Sequence, residues 1–440
     1  GPTIALILIV TTVILATLFP GGSAIAQAVD VGYKDFSYGS MASAPTGQKP
    51  QSKLWFNDNI WWGVMYNKDD FAFEIYRLDW QTQTWSTTGV EVDPRARSSA
   101  DAIWTGTYLY VASALMTSTS TSDTNIYVYQ FSYDPVQKTY AKVSTATIWD
   151  RVVETVVIDM DTTGRLWATF TDLNPALSMS VFVTHNTTEV DVWIPPYVLP
   201  ATESTGLLID DISTLVAYNG KIGVMWSNQA TGNINFAFHL DGTDDSANSW
   251  TFNPAVTGNP KYADDHLNIK SLQADASGQL YAVAKTSLSD VYPPNSSQPL
   301  ILLLVLSTEG SWSRRTFGTV ADNHTRPIVL VDAQNRELYV FATVQSSGTS
   351  GYITYKKINL DNPGAQFDSG LGIDFIKFAA YDHINNATST KQQLNGVTNL
   401  VVLAGDDTES LRTYFHNFID LTDPPPDPVY QVFLPLVIKN

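Results

Sequence analysis

The chain has 440 residues, of which 44 % are hydrophobic and 12 % aromatic, and it contains no cysteine. This length supports a large hydrophobic core, and the lack of cysteine excludes disulfides, thiolate nucleophiles and cysteine-ligated metals. The formal net charge of −18 comes without any basic stripe, which excludes a nucleic-acid-binding protein because an acidic surface repels phosphate groups.

The first segment is apolar. Residues 2–19 carry no charge and are just long enough to cross a bilayer as a helix. The same run fits the core of an export signal, and Ala26-Gln27-Ala28 has the small-x-small form of a cleavage site. Two alternatives stay open for residues 1–28: a cleaved signal peptide, or a retained anchor that contacts the membrane or identical subunits, as a pilin helix does. Both predict an extracellular or cell-surface protein.

Strand-like repeats follow. VGYKDFSYG (31–39) predicts one strand without a nearby hairpin partner. Seven times thereafter, an apolar run reaches a polar turn and a second apolar or aromatic run follows, which is the pattern of a β-hairpin. Such hairpins must stack to bury both faces, so the sequence predicts an all-β, seven-bladed β-propeller over 29–420, closed by the strand at 31–39. The repeats lie at 52–67, 99–114, 155–170, 213–228, 269–287, 326–343 and 394–405.

The last segment, 421–440, is predicted to be a tail. It is rich in proline around 424–428 and ends in the short apolar run FLPLVIKN (433–440). Proline favours an extended, semi-rigid chain. The alternative is a last strand packed on the propeller.

The candidate site is formed by polar residues at or just after the loops that lead into each blade, together with Asn228 and Lys285 from the loop after the second strand, which is expected on the same face. Such loops meet around the axis of a propeller, so these side chains are expected to surround a polar ligand. The competing interpretation is that the charges pair with one another and plug the central channel. The predicted ligand-binding residues are Lys53, Arg97, Glu154, Asp210, Asp211, Asn228, Asp265, His266, Lys270, Lys285, Arg326 and Lys391.

Several strings in these loops carry a resemblance. ADDHLNIK (263–270), AVAKTS (282–287), TRPIVLVD (325–332), ATSTKQ (387–392) and KPQSKLWF (49–56) resemble those of uncharacterised secreted bacterial seven-bladed propellers that are loosely sialidase-like. The resemblance covers roughly residues 31–420 and implies a secreted propeller without assigning a reaction. Sialidases repeat an S-x-D-x-G-x-x-W turn, which this sequence lacks.

DDHLN (264–268) resembles a string found at the start of a blade in some propeller-type polysaccharide lyases. A lyase needs a base to take the proton beside a uronate carboxylate, and a cation to neutralise that carboxylate. The catalytic candidates are therefore His266 as base, with Arg326 or Lys270 as cation. The alternative role for His266 is a structural clamp bonded to Asp264 or Asp265.

No metal site or cofactor is predicted, although two acidic segments, 159–164 and 241–245, leave calcium open. The leading functional prediction is a non-enzymatic binding or structural module, for example a filament or envelope subunit, with carbohydrate as its ligand. The alternative is a polysaccharide lyase or glycoside hydrolase acting at the central face. An unpaired His266 in an open pocket favours the enzyme, whereas a closed lattice of ion pairs favours the scaffold.

Overall fold

The structure, a computed structural model, describes residues 30–422 except 48–49, 117–122, 174–178, 188, 190, 272–277, 348–349, 363 and 409–411. The helix predicted at 2–19 and the run at 433–440 lie outside these residues. Among the residues described, no helix is long and apolar enough to cross a membrane.

The described chain folds into antiparallel β-strands that follow one another in groups of four. The first strands in chain order are β1 (Tyr33–Ser37), β2 (Leu54–Asn57), β3 (Ile60–Asn67), β4 (Ala72–Asp79), β5 (Thr84–Asp93), β6 (Ser98–Trp104), β7 (Tyr108–Leu115), β8 (Ile126–Asp134), β9 (Thr139–Trp149), β10 (Val153–Met160), β11 (Leu166–Asp172), β12 (Ser180–His185), β13 (Tyr197–Val198) and β14 (Ser213–Tyr218). They are followed by β15 (Lys221–Asn228), β16 (Asn233–Leu240), β17 (Trp250–Phe252), β18 (Leu267–Ser271), β19 (Leu280–Lys285), β20 (Pro299–Leu306), β21 (Trp312–Thr319), β22 (His324–Asp332), β23 (Glu337–Ser347), β24 (Ser350–Asn359), β25 (Ile373–Ile376), β26 (Ile384–Thr388), β27 (Leu400–Asp406) and β28 (Thr413–Ile419).

These strands build a seven-bladed β-propeller, as the sequence predicts. Blades 1 to 5 are the four-stranded sheets β2–β5, β6–β9, β10–β13, β14–β17 and β18–β21. Blade 6 is β22–β25, and blade 7 is β26, β27, β28 and β1. A single pairing of Gly351 with Ile384 joins blades 6 and 7. The first strand of each blade lies innermost, so seven short strands surround the axis.

Local sequence explains the turns within blades. Asp58 and Asn59 have φ of 54° and 56° between β2 and β3, and Asn219 and Gly220 have φ of 44° and 69° between β14 and β15. Two successive positive φ values define the two-residue turn that matches the right-handed twist of a hairpin, and Asn, Asp and Gly adopt them at least cost. The predicted hairpin turns at these positions are confirmed.

Ring closure by the N-terminal strand is also confirmed. β1 pairs antiparallel with β28, with Tyr33 opposite His416, and so becomes the outermost strand of blade 7. His416 is fully buried, and its Nδ1 lies 2.9 Å from Asp35 Oδ2 while its Nε2 lies 3.1 Å from Gln83 Oε1. One side chain thereby links β1, blade 7 and blade 1.

The seventh repeat begins earlier than predicted. Its innermost strand is β26, which ends at Thr388, so the run predicted at 394–405 covers only the approach to β27 and β27 itself. Leu394 is not in that inner strand, because its backbone N–H donates to Val331 O at 3.0 Å and ties the segment to blade 6. The search for apolar runs missed β26 because this strand, INNAT, lies in a polar stretch of the sequence.

Aromatic side chains fill the core between blades. Trp61, Trp62, Trp167 and Trp226 are each at most 1 % exposed. These tryptophans are core residues, and truncating one to alanine would cost about 3–5 kcal/mol of stability. The strands alternate in direction, so the loops leading into β2, β6, β10, β14, β18, β22 and β26 lie on one face, here called the front face. The turns after those strands lie on the back face.

Candidate functional site

The centre of the ring is filled by a lattice of buried polar groups. Asp101, in β6, is fully buried. Its Oδ1 accepts from the backbone N–H of Ser52 at 2.7 Å, and its Oδ2 accepts from the backbone N–H of Ile158 at 2.8 Å and from Lys391. One carboxylate therefore connects blades 2 and 3 with the segments that flank β2 and β26.

Two lysines complete this lattice. Lys53 Nζ donates to Ala100 O at 2.7 Å, and Lys270 Nζ donates to Ser52 Oγ at 2.6 Å. Burial lowers the pKa of both to about 7, although Asp101 acts in the opposite direction on each. Both lysine side chains form hydrogen bonds to other segments at the centre of the ring, as expected if polar groups plug the central channel.

A second polar cluster lies on the front face, before β18. His266 Nδ1 contacts Asp264 Oδ1 and Asp265 Oδ1, and Lys285 Nζ donates to Asp264 Oδ2 at 2.8 Å. Because two carboxylates face Nδ1, that nitrogen carries the proton of the neutral ring. Nε2 is then left with its lone pair, which is the state required of a general base.

The other ring nitrogen of His266 is buried, and the residue lines a small pocket. His266 is 8 % exposed, and its Nε2 has no hydrogen-bond partner in the described part of the chain. The hydroxyl of Thr46 is equally buried and equally unpartnered there. The pocket has a cavity volume of about 10 Å³, room for roughly one water molecule. Its lining consists of Thr46, His266, Leu267, Arg326, Pro327, Ile328, Asn386 and Ala387.

Irregular backbone places two of the polar lining residues. Arg326 has φ of 50°, and Asn386 has φ of 55°. Each lies where the register of an innermost strand shifts, between Thr325 and Ile328 in β22 and between Asn385 and Thr388 in β26. Such bulges re-aim side chains, and a left-handed residue that is not glycine costs roughly 1–3 kcal/mol, a strain that clusters at functional sites.

Arg326 supplies positive charge to the pocket. Burial has the largest effect and lowers the pKa of its guanidinium. Asp265, Asp407 and Asp264 raise that pKa, and Asp265 has the largest effect of the three. An arginine side chain does not lose its proton in proteins, so Arg326 is a fixed cation beside His266. Together with Lys285, it balances the two carboxylates of the cluster.

The remaining predicted residues lie elsewhere. Arg97 is exposed, and Glu154 is 6 % exposed within β10. Asp211 is fully buried and accepts from the backbone N–H of Leu208 at 2.8 Å, while Asp210 accepts from Gln229 Nε2 at 3.0 Å. Asn228 donates to Glu203 O at 3.2 Å.

The structure thus divides the predicted set into distinct groups. Lys53, Lys270 and Lys391 belong to the central lattice. Asp265, His266, Lys285 and Arg326 belong to the front-face cluster, and Asp210, Asp211 and Asn228 order loops of blade 4. Sequence reasoning missed Thr46, Asn386 and Asp101. A hydroxyl in a long loop, an asparagine at a bulge and a carboxylate in the middle of a strand carry no spacing signal.

Asp264, Asp265 and His266 could also hold a metal ion, because one ligand atom from each lies within 4.8 Å of the others. A cation there would compete with Lys285.

In the two acidic segments where calcium was left open, 159–164 and 241–245, the carboxylates form hydrogen bonds. Asp161 accepts from Trp167 Nε1 at 2.9 Å, and Asp241 accepts from Thr162 Oγ1 at 2.6 Å. Calcium binding stays a prediction.

No protein-family model and no curated protein sequence matches the chain. Among solved structures, it is similar to the periplasmic gluconolactonase of Pseudomonas aeruginosa, with 14 % identity over 86 % of this chain and 98 % of that one and a TM-score of 0.48. It is also similar to an α-L-arabinofuranosidase from Lactobacillus brevis, with 12 % identity over 63 % and 96 % of the two chains and a TM-score of 0.38. An exo-1,5-α-L-arabinanase from a bovine ruminal metagenomic library gives 13 % identity over 62 % and 98 % and a TM-score of 0.34.

These similarities concern the fold, and no residue role is transferred from them. The β-propeller rests on the strand topology of this chain, and the sialidase-like detail stays a prediction. The leading prediction of a non-enzymatic binding or structural module is wrong. The similar structures include an arabinofuranosidase, an exo-arabinanase, an endo-arabinase and a β-xylosidase/α-arabinofuranosidase, all of them enzymes.

Proposed function

We propose that the protein is a carbohydrate-active enzyme that cleaves uronate-containing polysaccharides by elimination at the front-face pocket. The observation that carries this proposal is the state of His266. Its Nδ1 is held by two carboxylates, its buried Nε2 has no partner among the described residues, and the residue lines a pocket that Arg326 also lines. A base and a fixed cation in one pocket are what elimination beside a carboxylate requires.

In the proposed reaction, the pocket first widens beyond the roughly one water molecule for which it has room. The substrate carboxylate then pairs with Arg326, which makes the proton on the adjacent ring carbon more acidic. His266 Nε2 takes that proton. The electron pair of the broken C–H bond forms a double bond to the next ring carbon, whose bond to the glycosidic oxygen breaks. That oxygen takes up a proton, from the imidazolium of His266 or from water, and the two products separate.

The neighbouring residues have positioning roles in this scheme. Asp264 and Asp265 fix the tautomer of His266 and stabilise the imidazolium that forms when Nε2 takes the proton. Lys285 holds Asp264 in place at 2.8 Å. Lys270, the other cation proposed from the sequence, has no part in it, because it is buried against Ser52 in the central lattice.

The pocket lining also argues against the usual acid–base hydrolysis of glycosides. That reaction needs a pair of carboxyl groups, one on each side of the glycosidic bond, and the described pocket lining contains no carboxylate.

One observation nevertheless supports hydrolysis as a second candidate. The cavity has room for roughly one water molecule, which His266 Nε2 and Thr46 Oγ1 could hold and activate.

We further propose that the enzyme acts outside the cytoplasm on extracellular polysaccharide. The apolar run at 2–19, with the small-x-small site at 26–28, is the feature that supports export. Export would bring the front-face pocket into contact with polymers too large to enter a cell.

The test is to incubate the wild-type protein with polygalacturonate, alginate and hyaluronan and to follow ultraviolet absorbance, because elimination leaves an unsaturated, absorbing sugar end. We expect a robust increase with at least one polymer. His266→Asn keeps a donor toward Asp264 but removes the base, so it should reduce the rate by roughly 100- to 10,000-fold. Arg326→Gln should reduce it as well, and Arg326→Lys should retain part of it.

His383→Ala is the matched control. His383 also contacts an aspartate, with Nδ1 2.6 Å from Asp382 Oδ1, but it does not line the pocket. This variant should keep full activity. An absorbance increase that persists in His266→Asn would contradict the proposal, as would no increase with any uronate polymer. New reducing ends without absorbance, lost in His266→Asn, would replace elimination by the hydrolytic candidate.

A further inference from the structure

A groove on the back face lies between blades 1 and 7, far along the strands from the front-face pocket. Its cavity volume is about 150 Å³. It is formed where the turns after β2 and β4 meet the loop that leads into β27. Its lining residues are Phe56, Asn59, Trp61, Leu78, Trp80, Val397, Thr398 and Asn399.

The floor and rim of this groove differ in burial. Trp61 and Leu78 are 1 % and 4 % exposed and form a rigid floor, and Trp61 Nε1 donates to Thr398 O at 2.7 Å. At the rim, Trp80 is 38 % exposed and Val397 is 68 % exposed. A tryptophan held at the edge of an apolar depression presents a flat ring face to a ligand.

Further aromatic rings extend the surface beyond Trp80. The Trp80 ring lies 4.7 Å from that of Phe418, and the Phe418 ring lies 6.1 Å from that of Tyr33. Tyr33 is 39 % exposed. The three rings form a continuous strip from the groove to β1, which is long enough for more than one ring of an extended ligand.

Amide groups accompany the aromatic surface. Asn399 Oδ1 accepts from the backbone N–H of Leu421 at 2.9 Å, which fixes that side chain. Asn59 also lines the groove, from the turn between β2 and β3. Fixed amide donors beside an aromatic face can bond to the hydroxyl groups of a ligand whose ring lies on the aromatic side chain.

None of the eight lining residues is charged, in a protein whose formal net charge is −18. An anionic ligand would meet no cation among the lining residues of this groove. A ligand with flat apolar ring faces, many hydroxyls and no charge fits these features, and that description is a neutral oligosaccharide.

We propose that the back-face groove is a secondary carbohydrate-binding site that takes a neutral oligosaccharide, with Trp80 as the stacking platform and Asn59 and Asn399 as hydrogen-bonding groups. It is separate from the front-face pocket and needs none of its residues. Such a site would hold the enzyme on a polysaccharide surface through neutral segments while the front face acts on acidic ones.

Calorimetry with xylohexaose, cellohexaose and arabinohexaose tests the proposal. We expect the full-length protein to bind at least one of them, and Trp80→Ala to weaken that binding by at least about tenfold through loss of the stacked ring. Tyr292→Ala is the control, since Tyr292 is an aromatic residue that is 94 % exposed outside the groove. It should bind like the wild type. Arg326→Gln should also bind normally, which separates this site from the proposed active site.

Three outcomes would overturn the proposal. The first is no binding of any of the three sugars, and the second is equal binding by the wild type and Trp80→Ala. The third is binding that appears only after removal of residues 423–440, which would mean that the chain's own end occupies the groove.

Discussion

His266 differs from the other buried histidines in what its second ring nitrogen faces. His416 and His185 each have both nitrogens within hydrogen-bond distance of an acceptor, at 2.6–3.1 Å. His239 and His324 each leave Nδ1 without a partner in the described part of the chain, but neither lines the front-face pocket. Of these five, His266 is the one that combines a carboxylate-held nitrogen with an unpartnered one and lines that pocket.

Lys270 carries a prediction about stability and pH. Burial lowers its pKa to about 7, from an ordinary value of 10.5. The unfolded state therefore binds more protons between these values, so the free energy of unfolding rises with pH across that window and is lowest below pH 7. Lys53 adds in the same direction.

We expect Lys270→Met to flatten this rise, because methionine fills the same space without a proton to lose. Urea unfolding at about pH 6.5 and about pH 9.5 measures it, and the variant should gain stability relative to the wild type at the lower pH. Lys68→Met, at a lysine whose side chain is 46 % exposed, is the control. Equal slopes in Lys270→Met and the wild type would show that Lys270 is charged in the folded protein at both pH values.

At the scale of elements, β1 is the strand on which closure depends. It is short, yet it covers β28, which would otherwise be an exposed edge able to pair with another chain. Tyr38 OH donates to Asp406 O at 2.6 Å, and the ring of Phe36 stacks on Tyr76 of blade 1 at 4.9 Å. Burial raises the pKa of Asp35, and its contact with His416 lowers it.

Deleting residues 31–39 should therefore lower the melting temperature sharply and cause aggregation, because blade 7 loses its outer strand and the charged partner of His416. Thermal unfolding with light scattering measures both effects. Asp35→Asn is the milder variant, which keeps the strand and removes only the charge, so it should destabilise without aggregation. A deletion variant with an unchanged melting temperature would mean that ring closure contributes nothing.

At the scale of the whole molecule, the proposed active site and the proposed sugar groove lie on opposite faces of the ring. Asp101 and the three lysines form hydrogen bonds across the centre of the ring. Each blade contributes its innermost strand to the centre and its loops to a face. Loops can therefore carry function while the buried rings of polar and aromatic residues keep the blades in register.

The fate of residues 1–28 is a prediction for the whole molecule. A cleaved signal would give a native protein that starts at Val29, and a retained apolar helix would place the protein in a membrane or filament fraction, because such a run cannot face water. Intact-mass spectrometry of protein from its native source distinguishes these outcomes. A mature start at Val29 would reject the retained anchor, and an intact leader in the soluble fraction would reject both.

The sequence by itself determined the blades. Hairpin turns such as Asp58-Asn59 and Asn219-Gly220 are local, and apolar runs beside them must be buried, so the repeat and the closing strand can be predicted without long-range information. The sequence also indicated that DDHLN (264–268) belongs to a candidate site. Blade 7 was the exception, because β26 lies in a polar stretch.

Only the tertiary structure decided which polar residues meet. Lys270 and His266 lie four positions apart, yet one side chain points to the plugged centre and the other reaches the front-face pocket. Thr46, Arg326 and Asn386 come from distant segments, and bulges aim two of them. Trp80 stands at the rim of its groove because blades 1 and 7 meet there. Spacing along a strand fixes which face a residue takes, but not how deep it lies or which blade it meets, since these depend on the closure of the ring.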